Sequence, residues 1–252
     1  RIDEVCCQVS TLVAGPSAPA VFAVGGALDT NFFSYNTFLS QVPRNTVDNY
    51  GGSIQADWNF GNLSLTSITA YRGWDNTEIR DGDWLDKAYV GFAQLHDSGP
   101  QTSNTFSQEL RITSPGDTAL SYVVGAYYSR AYSERTFTRD VTQCTAVTGA
   151  PTNVLIPCGS VNANPSAFPS GTATFGSTFN NFALFGQATF KLSDAARIIG
   201  GLRYTHDKLS VFHSRNTTLA GPGIQPSFPV TTTGTGAPAA PFTAETSNDN
   251  LS

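Results

Sequence analysis

Apolar and polar positions alternate through several stretches of this chain, most clearly between residues 181 and 207. Phe182, Leu184, Gly186, Ala188 and Phe190 fall on one side, and Asn181, Ala183, Phe185, Gln187 and Thr189 on the other. After the polar link 191–196, Ile198, Gly200, Leu202 and Tyr204 face one way, while Arg197, Ile199, Gly201, Arg203, Thr205 and Asp207 face the other. Successive side chains leave a strand on opposite faces, so period two with a short polar link predicts an antiparallel hairpin. The same test predicts strands over 47–60, 63–74, 104–113 and 118–131, with 177–190 and 197–211 forming the hairpin. Their apolar faces are Ile54, Ala56, Trp58 and Phe60; Leu63, Leu65 and Tyr71; Phe106, Leu110 and Ile112; and Leu120, Tyr122, Val124, Ala126 and Tyr128. Residues 1–46 lack a clean period and read as a surface loop with a short helix near 36–41. The polar stretch after about residue 211 reads as the start of another loop.

The sorting of charge matters more than the strand count. The apolar faces of these six strands are expected to carry no Asp, Glu, Lys or Arg. The opposite faces carry Asp57, Glu109, Arg111, Arg203 and Asp207, and a network of Arg203 with Glu109 or Asp207 is expected there. A soluble sheet must cover its apolar face with another layer. In an outer-membrane barrel lipid covers it, and the polar face looks into the lumen. Connection lengths favour the second arrangement. Gly61-Asn62 is a two-residue turn, and 114–117 and 191–196 are short, whereas 75–103, 132–176 and the stretch after 211 are long. Short periplasmic turns alternating with long extracellular loops are the rhythm of such a barrel.

Composition narrows the classes. The chain has 252 residues with a formal charge of −5, which lacks the basic stripe a nucleic-acid partner requires. No run of 18 apolar residues supplies a transmembrane helix, but barrel strands need only about 9–11 residues. There is no Met and no signal peptide, so the sequence reads as a fragment. Of the four cysteines, Cys144 and Cys158 share one loop-like stretch and are the disulfide candidate; the adjacent Cys6 and Cys7 cannot easily bridge each other.

ALFGQATF, a turn and GLRYTHD resemble the barrel hairpin of TonB-dependent outer-membrane receptors, as do LTSITAYRGW, FSQELRITSP and YVVGAYY upstream. The resemblance covers about residues 47–208. It implies an all-β, antiparallel up-and-down transmembrane barrel segment with long extracellular loops, part of a 22-stranded barrel whose plug domain is not in this sequence. It also implies a bacterial outer-membrane location, surrounding lipid and lipopolysaccharide, and energy delivered by TonB through the plug. The ligand would be a scarce small molecule: a siderophore-iron complex, cobalamin or an oligosaccharide. No cofactor is implied.

Catalytic patterns are sparse. There is no G-x-S-x-G elbow, Walker A or G-x-G-x-x-G opening a helix. His206 and Asp207 are neighbours on a strand and therefore point to opposite faces, a poor start for a Ser–His–Asp arrangement. The long acidic stretch holds Asp75, Glu78, Asp81, Asp83 and Asp86. These carboxylates suit Ca²⁺ by type but not by EF-hand spacing. Trp74, Asp81, Asp83, Trp84 and Tyr89 are the candidate ligand contacts, since loops carry recognition and aromatic rings suit sugars and siderophores. Two other classes compete with the receptor: a soluble β-sandwich carbohydrate-binding module and a β-rich secreted hydrolase.

Overall fold

The computed structural model describes residues 1–5, 39–83, 85–152, 154–217, 224 and 241–252. They form one antiparallel up-and-down sheet of eight strands in chain order. These are β1 (Ile2–Glu4), β2 (Arg44–Phe60), β3 (Leu63–Asp81), β4 (Gln94–Thr113), β5 (Leu120–Thr142), β6 (Ser170–Ser193), β7 (Ala196–Thr217) and β8 (Phe242–Leu251). The sheet does not close on itself, and β1 and β8 are its edges. Gly61, at φ 60°, makes the β2–β3 turn that a Cβ would strain.

The structure departs from the sequence expectation in three ways. Among the described residues there are eight strands, not about six, because β1 and β8 lie in stretches that lack an apolar period. The helix expected near 36–41 is not seen at 39–41, and residues 36–38 lie outside the described residues. Every expected strand except the first also runs well beyond its predicted end. β3 continues seven residues past Trp74, and β4 begins ten residues before Asn104, so the supposed loop 75–103 shrinks to 82–93. The added lengths of β3–β7 are mostly polar on both faces, with isolated rings such as Phe137, Phe175 and Phe212, so no continuous apolar face marks them.

Register sorts the faces. One face carries Trp58, Leu110, Val124 and Leu202, exposed by 47%, 45%, 45% and 62%, with no second sheet or helix over them among the described residues. A β-sandwich would have buried these side chains. Polar groups within this outer face satisfy one another: Thr69 Oγ1 donates to Gln108 Oε1 at 2.5 Å, and Gln108 Nε2 donates to Ser67 Oγ at 2.9 Å. That economy suits a surface where no water replaces a missing partner.

The outer face is not wholly free of charge, as had been expected. Within the predicted strand ranges Asp48, Arg130 and Lys208 lie on it. All three stand toward the long connections, beyond a belt of rings formed by Tyr50, Tyr71, Phe106, Tyr128, Phe182 and Tyr204. Tyr50 lies over Gly73, where a Cβ would come within 2.3 Å of its ring.

The belt also reports the tilt of the strands. One cross-strand row runs Tyr71, Phe106, Arg130, Asn180, Lys208. On β3 and β4 the belt lies on this row; on β5 and β6 it lies two residues nearer the short turns, and on β7 four. At about 3.3 Å per residue and about 4.8 Å per strand, that descent is a tilt of about 35°, within the range of transmembrane barrel strands. Leu120 to Tyr128 then spans about 26 Å along β5, or about 21 Å along the tilted normal, close to the apolar band of such barrels.

Candidate functional site

Beyond the belt, toward the long connections, the inner face changes character. Three successive cross-strand rows can be read from the register. The first places Asn76, Gln101, Arg135, Phe175, His213 and Phe242 side by side; the second places Ala173 beside Phe137 and Arg215; the third places Arg80, Asp97, Arg139 and Gly171 together. Glu78 shares the inner face of β3. Arg135, Phe137 and Arg139 meet there because they sit at i, i+2 and i+4 of one strand.

Charge pairing ties β3, β4 and β5 together. Arg139 forks onto Asp97, with Nε and Nη2 donating to the two carboxylate oxygens at 2.6 and 2.5 Å. Arg135 Nη2 donates to Glu78 Oε2 at 2.8 Å, and Arg80 lies 3.6 Å from Asp97 and 3.9 Å from Glu78. Asp97 is 2% exposed and relies on these partners for compensation. Both Arg135 and Arg139 also sit over the Phe137 ring, 5.8 and 5.7 Å from its centroid. Among the described residues Arg80, Arg135 and Arg139 share two carboxylates, Glu78 and Asp97, in a chain whose formal charge is −5, and Arg215 lies beside them.

Alongside, Phe175, His213 and Phe242 stack across β6, β7 and β8, with centroids 6.1 and 5.7 Å apart and planes within 19° and 22°. Farther out along β5–β7 lies a cavity of about 120 Å³, lined by Phe137, Arg139, Ala173, Arg215, Thr217 and Ile224. Its volume suits one planar ring. The arrangement offers positive charge and aromatic faces, the chemistry that holds an anionic or aromatic group.

The residues singled out from the sequence do not assemble into this site. Trp74 is on the inner face of β3, seven residues short of Asp81, which ends the strand. Asp81 is 2% exposed and accepts from Ser40 N and Oγ at 2.9 and 2.8 Å. Asp83 accepts from the backbone N–H groups of Leu85 and Leu95, and burial pushes its pKa up to about 6. These carboxylates hold their own loop together. Among the described residues no group of three or more His, Cys, Asp or Glu gathers in metal-binding array. Trp84, Cys6 and Cys7 lie outside the described residues.

Tyr89 is 9% exposed and packs against Leu85, Phe92 and Leu155, with its hydroxyl donating to Asp86 at 2.9 Å. Burial and that bond raise its pKa. It is therefore a core residue of a small cap made by two connections. The cap is joined by Val90 N donating to Ile156 O and Cys158 N donating to Ala88 O, each at 2.9 Å. The Cys144–Cys158 disulfide closes the second connection, with Cα atoms 5.7 Å apart.

Nearer the short turns, Asp57, Glu109, Arg111, Arg203 and Asp207 share the inner face. The expected Arg203 network does not form. Arg203 lies over Phe185, 5.9 Å from its centroid; Glu109 pairs with Arg111 at 3.4 Å; Asp207 accepts from Asn181 at 2.6 Å. His206 meets Asp249 at 2.8 Å, not Asp207. Sequence reasoning missed the arginine rows because 132–176 read as a loop, although Arg135-Thr-Phe137-Thr-Arg139 is itself a period-two pattern.

A family model described as TonB dependent receptor-like, beta-barrel matches residues 10–248. No curated protein matches the chain.

Proposed function

The chain belongs to the TonB-dependent receptor-like β-barrel family, whose members are outer-membrane receptors and transporters, and we propose that this one recognises an anionic ligand bearing a planar ring. In this reading the sheet is a segment of barrel wall, part of a 22-stranded whole, with the inner face turned to the lumen. The long connections lie outside the cell. Asp57, Glu109, Arg111, Arg203 and Asp207 line the lumen below, and the arginine and aromatic rows form part of the entrance. TonB acts through the plug to drive uptake.

The observation that carries the ligand reading is the excess of arginine around Phe137 beside the Phe175–His213–Phe242 stack. Arginine binds anionic oxygen in a forked geometry and stacks on rings. Among the three ligand classes, an anionic ferric siderophore fits these rows better than cobalamin or a neutral oligosaccharide. The test is equilibrium binding to the receptor in detergent micelles, using a ferric catecholate, cobalamin and a neutral oligosaccharide as probes. The catecholate should bind, with affinity that falls as salt rises, and Phe137→Ala should weaken it about tenfold. Salt-independent binding of either neutral probe in preference to the catecholate would overturn the assignment.

A further inference from the structure

On the outer face, beyond the ring belt, the structure presents a second polar cluster. Arg130 of β5, Asn180 of β6 and Lys208 of β7 are direct cross-strand partners on a single row. Arg130 is exposed, and its neighbours on this face are Tyr128, Tyr132, Phe106, Thr178, Phe182 and Asn180, none of them acidic. The Tyr128 hydroxyl donates to Asn180 Oδ1 at 3.1 Å, which turns the amide so that its NH₂ group remains a donor. Lys208 stands on the far side of Asn180 and shares its charge with Glu245 at 2.8 Å. That pair is exposed on both partners, at 42% and 57%, and such pairs hold loosely.

We infer that Arg130, Asn180 and Lys208 form a site for the phosphate of a lipid headgroup in the extracellular leaflet. Height and charge both point to this occupant. The rings of Tyr128, Phe182 and Tyr204 mark the boundary of the apolar band; Arg130 and Asn180 lie two residues beyond them, about 7 Å along the strand, and Lys208 four residues, about 13 Å, which places all three in the headgroup layer. Arg130 and Lys208 are separated by two strand spacings, about 10 Å, and both side chains are long enough to converge over Asn180. A phosphate there would accept from a guanidinium, an amide and an ammonium group, the charge-assisted set that anionic oxygen prefers. Beyond the belt the other charges of the outer face are mostly acidic, with Asp48 and Asp75 on β2 and β3, Glu134 farther out on β5, and Glu245 and Asp249 on β8, so Arg130 and Lys208 are the cations of β5–β7 on this face. The assignment goes beyond the ligand reading and depends only on which solvent meets the outer face.

The test uses the receptor in nanodiscs doped with bisphosphorylated lipid A or with the same lipid after phosphate removal, and counts retained lipid by native mass spectrometry. The unsubstituted receptor should retain the phosphorylated form at least threefold over the dephosphorylated one. Arg130→Gln should erase most of that preference, and Arg130→Lys should keep part of it. Heat-dependent gel mobility reports whether each variant is folded. Equal retention of the two lipids by the unsubstituted receptor would overturn the site without requiring any variant to fold. So would displacement by inorganic phosphate as readily as by excess phosphorylated lipid. Siderophore binding should be unchanged in Arg130→Gln, so failure here is distinguishable from failure of the ligand reading.

Discussion

Val123 and Val124 are neighbours in the chain and lie on opposite faces of β5. Val124 pairs with Ile112 and Gly186 on the outer face, midway between Leu120 and Tyr128; Val123 pairs with Thr113 and Gln187 on the inner face. Arginine at the bilayer midplane costs about 2–4 kcal/mol, falling to about 0–1 near the interfaces. Val124→Arg should therefore lower the folding equilibrium constant in lipid by about 30- to 700-fold. Val123→Arg, facing water and other polar groups, should stay within about 0.5 kcal/mol. Tyr128→Arg, on the outer face but at the belt, should cost much less than Val124→Arg. The measurement is a urea titration of folding into phospholipid vesicles, followed by tryptophan fluorescence and by gel mobility of unheated samples. A cost for Val123→Arg equal to or above that for Val124→Arg would refute the face assignment. Equal costs at Val124 and Tyr128 would refute the bilayer, because a protein interior has no such depth gradient along one strand.

Three further outcomes are expected. Arg139→Ala removes the fork from Asp97, which is 2% exposed, and should loosen the long-connection ends of β4 and β5 by about 3 kcal/mol; hydrogen exchange there should show it, and the Asp97→Asn, Arg139→Met double variant should lose less. Cys144→Ser with Cys158→Ser opens a loop with a separation of 14 residues and should destabilise the cap locally by up to about 3 kcal/mol, read as faster proteolytic cleavage within 143–169. Asp83 has a folded-state pKa raised from 3.8 to about 6, so the folded cap binds more protons than the unfolded one between those values and its stability falls as pH rises through that window. Corrected exchange at the Leu85 and Leu95 amides should be slower at pH 5 than at pH 7.5, and Asp83→Asn should flatten the difference.

The parts of the fold legible in the sequence are those where one face meets an apolar medium and the other does not. In 181–207 and in 118–131 the alternation is local, and the side of each residue follows from parity alone. The same rule says little beyond the belt, where polar residues predominate on both faces of β3–β7 and the rings, such as Phe137 and Phe175, are isolated. That silence turned half of β3 and of β4 into an imagined loop, hid β8, and placed Arg135, Phe137 and Arg139 in a connection. Tyr89 and Asp81 were read as ligand contacts because aromatic and acidic residues in a loop look available. Their burial in the cap depends on packing between two connections about 70 residues apart, which no local pattern encodes.

Parity along each strand, determined by the sequence itself, assigns Val124 and Leu202 to one face and Arg111 and Arg203 to the other. Pairing register, decided only in the tertiary structure, sets the tilt of the belt, brings Arg139 to Asp97 and lines up Arg130, Asn180 and Lys208. The physical reason is distance along the chain: side-chain direction in a strand repeats every two residues, whereas each cross-strand neighbour is chosen by closing a turn or loop whose length and packing lie outside the strand.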